Sequence, residues 1–224
     1  RIPELDVEAQ HPEGTRPRRE LTLWMERATA WTHRLWPVSP AGGFHRFVLL
    51  WVAWVSSLSI PAFYLLGRRL TPSPVLAAAA TAAYGLSWAS LSHVIGTYGF
   101  SGFALPLLFA GLAALAASLD AGRRHPRLFA LLAGVALAAA LASWHFTRFF
   151  LASLFLACFW AAWRRREDPA QLAALRRSLA VVVAVLAAAG LAVAILRESR
   201  FLLSPTMLLG CVLLAFLKYP KRKL

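Results

Sequence analysis

Residues 71–119 pass without a single Asp, Glu, Lys or Arg. One helix needs only ~20 residues to cross the hydrocarbon core of a bilayer, and this run is more than twice that length. It must therefore fold back on itself inside an apolar medium. The natural break is Gly96-Thr97-Tyr98-Gly99-Phe100-Ser101-Gly102, where three glycines weaken any helix. That predicts one span over 74–95 and a second over 100–119.

The rest of the chain repeats the pattern. Residues 47–66 form an uncharged run that stops at Gly67-Arg68-Arg69. Residues 128–163 are again double length, interrupted at Trp144-His145-Phe146-Thr147-Arg148. Residues 178–196 give a clean span and 201–217 a shorter last one. The sequence thus predicts an all-α, polytopic membrane helical bundle of about seven spans. The chain is 59% hydrophobic and 15% charged, where a soluble domain is about a quarter charged. Its net charge of +14 does not point to nucleic acid, because the basic residues sit at the ends of apolar runs. There they fix topology and touch lipid headgroups.

Orientation follows from those residues. If 1–46 lie outside, the inner segments hold Arg68, Arg69, Arg123, Arg124, Arg127, Arg164, Arg165, Arg166, Arg176 and Arg177. The inner tail, 218–224, adds Lys218, Lys221, Arg222 and Lys223. The short outer loops keep only Arg148, Arg197 and Arg200. The bias alternates across every predicted span, as the positive-inside rule requires. Cys158 and Cys211 lie within apolar runs and read as small hydrophobes, so no disulfide framework is expected. The chain opens on Arg1 without a signal-peptide pattern, and a preceding segment is expected.

The outer segment, 1–46, differs in kind. It carries Glu4, Asp6, Glu8, Glu13, Glu20 and Glu26, six of the ten acidic residues. Residues 11–19, with Pro12, Gly14 and Pro17, read as a loop. Residues 20–36 then show helical spacing, with Leu21, Trp24, Ala28, Trp31 and Leu35 on one face. A helix with tryptophans on its apolar side either lies in the membrane interface or packs on the bundle.

Ionisable groups near spans are costly and mark functional candidates. Here His93, the 96–102 turn, His145 and Arg148 all map to outer span ends, facing the acidic outer loop. Carboxylates, histidines and an arginine together suit an anionic lipid headgroup with a polar acceptor. Arginine donates two parallel hydrogen bonds to phosphate. Singly, each has a plainer reading: Arg148 snorkelling to headgroups, His93 and His145 bridging helices, Asp6 and Glu8 as solvated loop charges. No nucleophile triad, phosphate-cradling glycine loop or zinc spacing occurs in the sequence.

The turn Ile95-Gly96-Thr97-Tyr98-Gly99-Phe100-Ser101-Gly102-Phe103-Ala104 resembles the G-S-Y-D-N-E-G-I-A segment of oligosaccharyltransferase catalytic subunits, which are GT-C membrane glycosyltransferases. Gly96, Thr97 in place of Ser, Tyr98, Gly102 and Ala104 carry the match. His11-Pro12-Glu13-Gly14 is similar to the family's Y-P-x-G piece, and Tyr64-Leu65-Leu66-Gly67-Arg68-Arg69-Leu70 to its short inner turn. The resemblance covers roughly residues 10–120. It implies transfer of a sugar from a polyprenyl-phosphate carrier at the outer membrane face, with a first-loop aspartate as base or metal ligand. In the family, the D-x-E pair helps bind a divalent cation (Mg or Mn). Gly99 and Ser101 replace that pair here, so the matching carboxylates are absent.

In the family that aspartate follows directly on the first span, so the resemblance implies a base that either precedes Arg1 or is replaced by Asp6, ranked first, Glu8 or Glu13. Thr97 and Tyr98 of the matched turn are the substrate-binding candidates it suggests, and the grouping of ionisable residues at outer span ends adds His93, His145 and Arg148. Two other readings stay open: a lipid or solute transporter, and a non-catalytic scaffold of GT-C descent. The transporter is weakened by spans that lack any mid-depth ionisable group.

Overall fold

The computed structural model describes residues 24–35, 43–87, 100–120, 124–164 and 168–218. Among these residues the regular structure is all helical. Four helical stretches are long and apolar enough to cross a membrane: Phe47–Leu70, Ser101–Ser118, Pro126–Ser143 and Pro169–Ala192. Pro74–Gly85 and Pro205–Lys218 are shorter apolar helices. Leu50, Trp54, Leu65, Leu131, Val135 and Val212 are exposed along these rods. Apolar surface on that scale is tolerated against lipid and not against water.

Local sequence explains where the helices begin and break. Helix α1 is Trp24–Leu35, α2 is Gly43–Ser57 and α3 is Ser59–Leu70. Helices α2 and α3 form one rod with a single irregularity at Leu58. Pro61 has no N–H to give the carbonyl of Ser57, which loosens the ladder at that point. Helix α4, Pro74–Gly85, starts where Ser73 Oγ accepts from Leu76 N at 3.2 Å and Pro74 takes the first helical position. Both features satisfy or remove orphan amides of the first turn.

Helices α5 (Phe100–Ser118) and α6 (Pro126–Ser143) make the most extensive helix pair and form the centre. About half of their spans is buried, 56% and 50%, against 22% for the Phe47–Leu70 rod. Helix α7 is Thr147–Arg164 and α8 is Pro169–Ala192. A short α9, Ala194–Glu198, and a 3-10 turn, Phe201–Leu203, lead into α10, Pro205–Lys218.

Small residues bring the helices close. A Cβ built on Gly111 would meet Leu137 Cγ at 2.9 Å, and one on Gly134 would meet Val185 Cβ at 2.8 Å. Gly210 leaves equivalent room for Phe155. In lipid there is no water to drive helices together, so such close van der Waals packing holds the bundle. One apolar cluster, including Leu108, Leu137, Phe155, Leu179, Leu186 and Leu213, runs through α5, α6, α7, α8 and α10.

The elements differ from the sequence reading in three places. Helix α8 begins at Pro169, not at 178, so Arg176 and Arg177 are helical and not in a loop. Asp168 Oδ1 accepts from Gln171 N at 3.0 Å and starts the helix there; a hydropathy reading sees only its apolar part. The last predicted span begins with the 3-10 turn before Pro205. In the 74–95 span, helix is described over Pro74–Gly85, and residues 88–99 lie outside the described residues.

Helix α1 turns Ala28 toward Val52 and Phe103, and His33 stacks edge-on against Phe47 at 4.8 Å. Trp31 and Leu35, both on the predicted apolar face, stay 65% and 60% exposed. The helix therefore touches the bundle through Ala28 and His33 and leaves Trp31 and Leu35 uncovered.

Candidate functional site

Of the predicted site residues, Asp6, Glu8, Glu13, His93, Thr97 and Tyr98 lie outside the described residues. His145 and Arg148 are described, and they share the tight turn between α6 and α7. Helix α6 ends at Ser143, and Trp144 N still donates to Ala140 O at 3.0 Å. Thr147 Oγ1 donates to the same carbonyl at 3.1 Å. Arg148 N donates to His145 O at 3.1 Å. These bonds set the start of α7 and fix the direction in which Arg148 leaves it.

Arg148 does not simply snorkel. Its Nη2 donates to Ser199 Oγ at 2.5 Å, and Ser199 Oγ in turn donates to Leu196 O at 3.1 Å. Its Cζ lies 5.8 Å from the ring centroid of Phe201, which is 1% exposed. That is a cation–π distance. Thr206 Oγ1 donates to the Arg148 carbonyl at 3.3 Å. The α9–α10 connection therefore meets the Arg148 guanidinium, and the first turn of α10 meets the backbone carbonyl of the same residue.

The arrangement leaves donors over. Arg148 Nε is buried without a hydrogen-bond partner. Among the described residues no carboxylate forms an ion pair with Arg148, whereas Arg69 and Asp120 approach to 3.9 Å elsewhere. A guanidinium held in place with unspent N–H groups has the donors to receive the oxygens of an anion. Around it stand Phe146, Phe149 and Phe150, all exposed, with Trp144 stacked on Phe146 at 5.4 Å.

The connection from α9 contributes a feature that hydropathy does not carry. Arg200 adopts a left-handed backbone with φ 50° and ψ 39°. That conformation costs a non-glycine residue roughly 1–2 kcal/mol. It reverses the chain so that Ser199 and Phe201 both reach Arg148. Ser199, Phe201 and Thr206 were not among the predicted site residues. Their only sequence trace is polarity beside apolar runs: Ser199 between Glu198 and Arg200, and Thr206 after Pro205.

Ser101, which stands where the resembled family has a carboxylate, is buried in the first turn of α5. Among the described residues, no three His, Cys, Asp or Glu side chains gather into a set that could hold a metal ion. Comparison with protein-family models and with characterised proteins finds no match to this sequence.

Proposed function

We propose that this chain is a membrane-embedded glycosyltransferase of the GT-C kind. It moves a sugar from a polyprenyl-phosphate carrier to an acceptor at the outer membrane face. The observation that carries the reading is Arg148: anchored by Ser199 and Phe201, lacking a carboxylate partner, and holding a buried, unspent Nε–H. A phosphate that leaves from the anomeric carbon gains charge as the bond breaks. A preorganised guanidinium in a partly dry site stabilises that developing charge.

In this reading seven spans cross the bilayer, residues 1–46 lie outside and the basic tail 218–224 lies inside. Helix α1 rests in the outer interface with Trp31 and Leu35 in lipid. A carboxylate of the outer segment, Asp6 first and Glu8 or Glu13 in its place, takes the proton of the acceptor hydroxyl. As that oxygen bonds to the anomeric carbon, the bond from carbon to phosphate oxygen breaks, and the electron pair leaves with the lipid phosphate. Arg148 receives it. His93, Thr97, Tyr98 and His145 hold the sugar and the carrier headgroup.

The test is donor binding and sugar transfer, measured separately on the full-length protein in lipid. Arg148→Ala is expected to lower the transfer rate roughly 10²–10³-fold, the usual loss for one oxyanion donor. Arg148→Lys keeps the charge without the fork and recovers part of it. Transfer at the wild-type rate in R148A sinks the proposal. Tight binding of the donor with no transfer in the wild type favours the scaffold instead, which the missing D-x-E carboxylates at Gly99 and Ser101 would explain.

A further inference from the structure

The opposite end of the bundle holds a second cluster that sugar transfer does not use. A cavity of about 130 Å³ lies between the end of α5 and the starts of α6 and α8. Ser118, Asp120, Arg127, Ala130, Arg177 and Ser178 are among its lining residues. At ~30 Å³ per water, it has room for roughly four waters or one phosphate group. Ser178 Oγ approaches Ser118 O at 3.5 Å, which ties α8 to α5 at the cavity floor.

The charges at its mouth are unequal. Arg177 spends its Nε on Ala173 O at 3.3 Å and keeps its terminal nitrogens. Arg127 is exposed, and no partner for it occurs among the described residues. Asp120 is drawn toward Arg69, 3.9 Å away. The cavity thus presents two guanidinium groups, with its one carboxylate offset by a third. Beside it, Leu128, Leu131, Leu132 and Val135 are all about half exposed along α6. Leu131 lies one turn from Arg127, on the same flank of the helix. A cavity with two arginines in its mixed polar and apolar lining thus lies near an exposed apolar stripe of α6.

We propose that this cavity binds the phosphate of an anionic phospholipid, with Arg127 and Arg177 as the two contacts and the Leu128–Val135 stripe carrying an acyl chain. Phosphate is the shared chemistry of a lipid headgroup and a free anion; the stripe favours the lipid. The site is independent of the sugar-transfer reading and stands or falls without it.

The experiment is native mass spectrometry of the full chain released from bilayers of phosphatidylcholine and phosphatidylglycerol in equal amounts. The wild type is expected to retain phosphatidylglycerol, and Arg127→Gln with Arg177→Gln to lower that retention at least roughly tenfold, as loss of two interfacial cations implies. Arg176→Gln, adjacent but outside the cavity lining, is expected to retain it fully. Equal loss in R176Q, or full retention in the double variant, overturns the site. Displacement of the lipid by millimolar inorganic phosphate overturns the lipid as occupant, and persistence of the lipid supports it. Thermal unfolding in phosphatidylcholine alone verifies that the variants are folded.

Discussion

Thr147 and Arg148 are neighbours whose side chains solve different problems. Thr147 is completely buried, and its hydroxyl closes the α6–α7 turn onto Ala140 O, which Trp144 N already occupies. Carbonyl oxygens have two lone pairs, so both bonds count. Thr147→Val keeps the shape and removes the second bond. It is expected to lower stability by about 0.5–1 kcal/mol, the range found for side-chain hydrogen bonds in membrane helices. Unfolding in mixed micelles measures this, and an unchanged midpoint would mean that the Trp144 bond suffices. Arg148 reaches Ser199 and Phe201 instead and keeps its Nε–H free. Its candidacy was legible in the sequence, since an arginine inside a double-length apolar run is conspicuous. Its company was not, because Ser199 lies 51 positions away and nothing in the sequence around either residue encodes that distance.

Helix-scale behaviour is set by small residues at the crossings. Gly134 is where α6 meets α8, and an added Cβ would stand 2.8 Å from Val185 Cβ. That neighbour is fixed directly to its helix backbone, so the helices must separate to admit a methyl group. Gly134→Ala is expected to cost roughly 1–3 kcal/mol, the usual penalty for overpacking. Val185→Gly in the same chain should recover part of it. Additive losses in the double variant would show that the crossing is not the cause. Element existence was well read from hydropathy, but boundaries were not. Asp168 and Pro169 start α8 within a polar stretch, and caps act through hydrogen bonds to which hydropathy is blind. The Pro106 inside α5 did not end that helix, since surrounding helices bury it.

At the scale of the molecule, the connections sort into two ends. The α6–α7 turn and the α9–α10 connection meet at Arg148. The α3 end meets the α5 end through Arg69 and Asp120, and the α5 end meets α8 through Ser118 and Ser178. The alternation of basic residues predicts which compartment each end faces. Cysteines placed at the exposed positions Phe146 and Arg124, after replacement of Cys158 and Cys211 by alanine, report it directly. Impermeant thiol reagents should reach Phe146→Cys only from the outer compartment and Arg124→Cys only from the cytosolic one. Labelling of both from one compartment would overturn the orientation and, with it, the outer sugar-transfer site.

By itself the sequence determined the medium and the secondary structure. Uncharged runs of this length enter lipid as helices, whose backbone groups pair within the segment, because lipid offers no partner to an unpaired one. It also marked Arg148, because a charge at a span end is costly wherever the chain folds. Tertiary structure alone decided which turns meet, how close α6 and α8 approach at Gly134, and that Ser199 and Phe201 meet one guanidinium while Thr206 holds its backbone carbonyl. Those are contacts between segments far apart in the chain. Their energies depend on complementary shape at the crossing, which no local pattern of residues specifies.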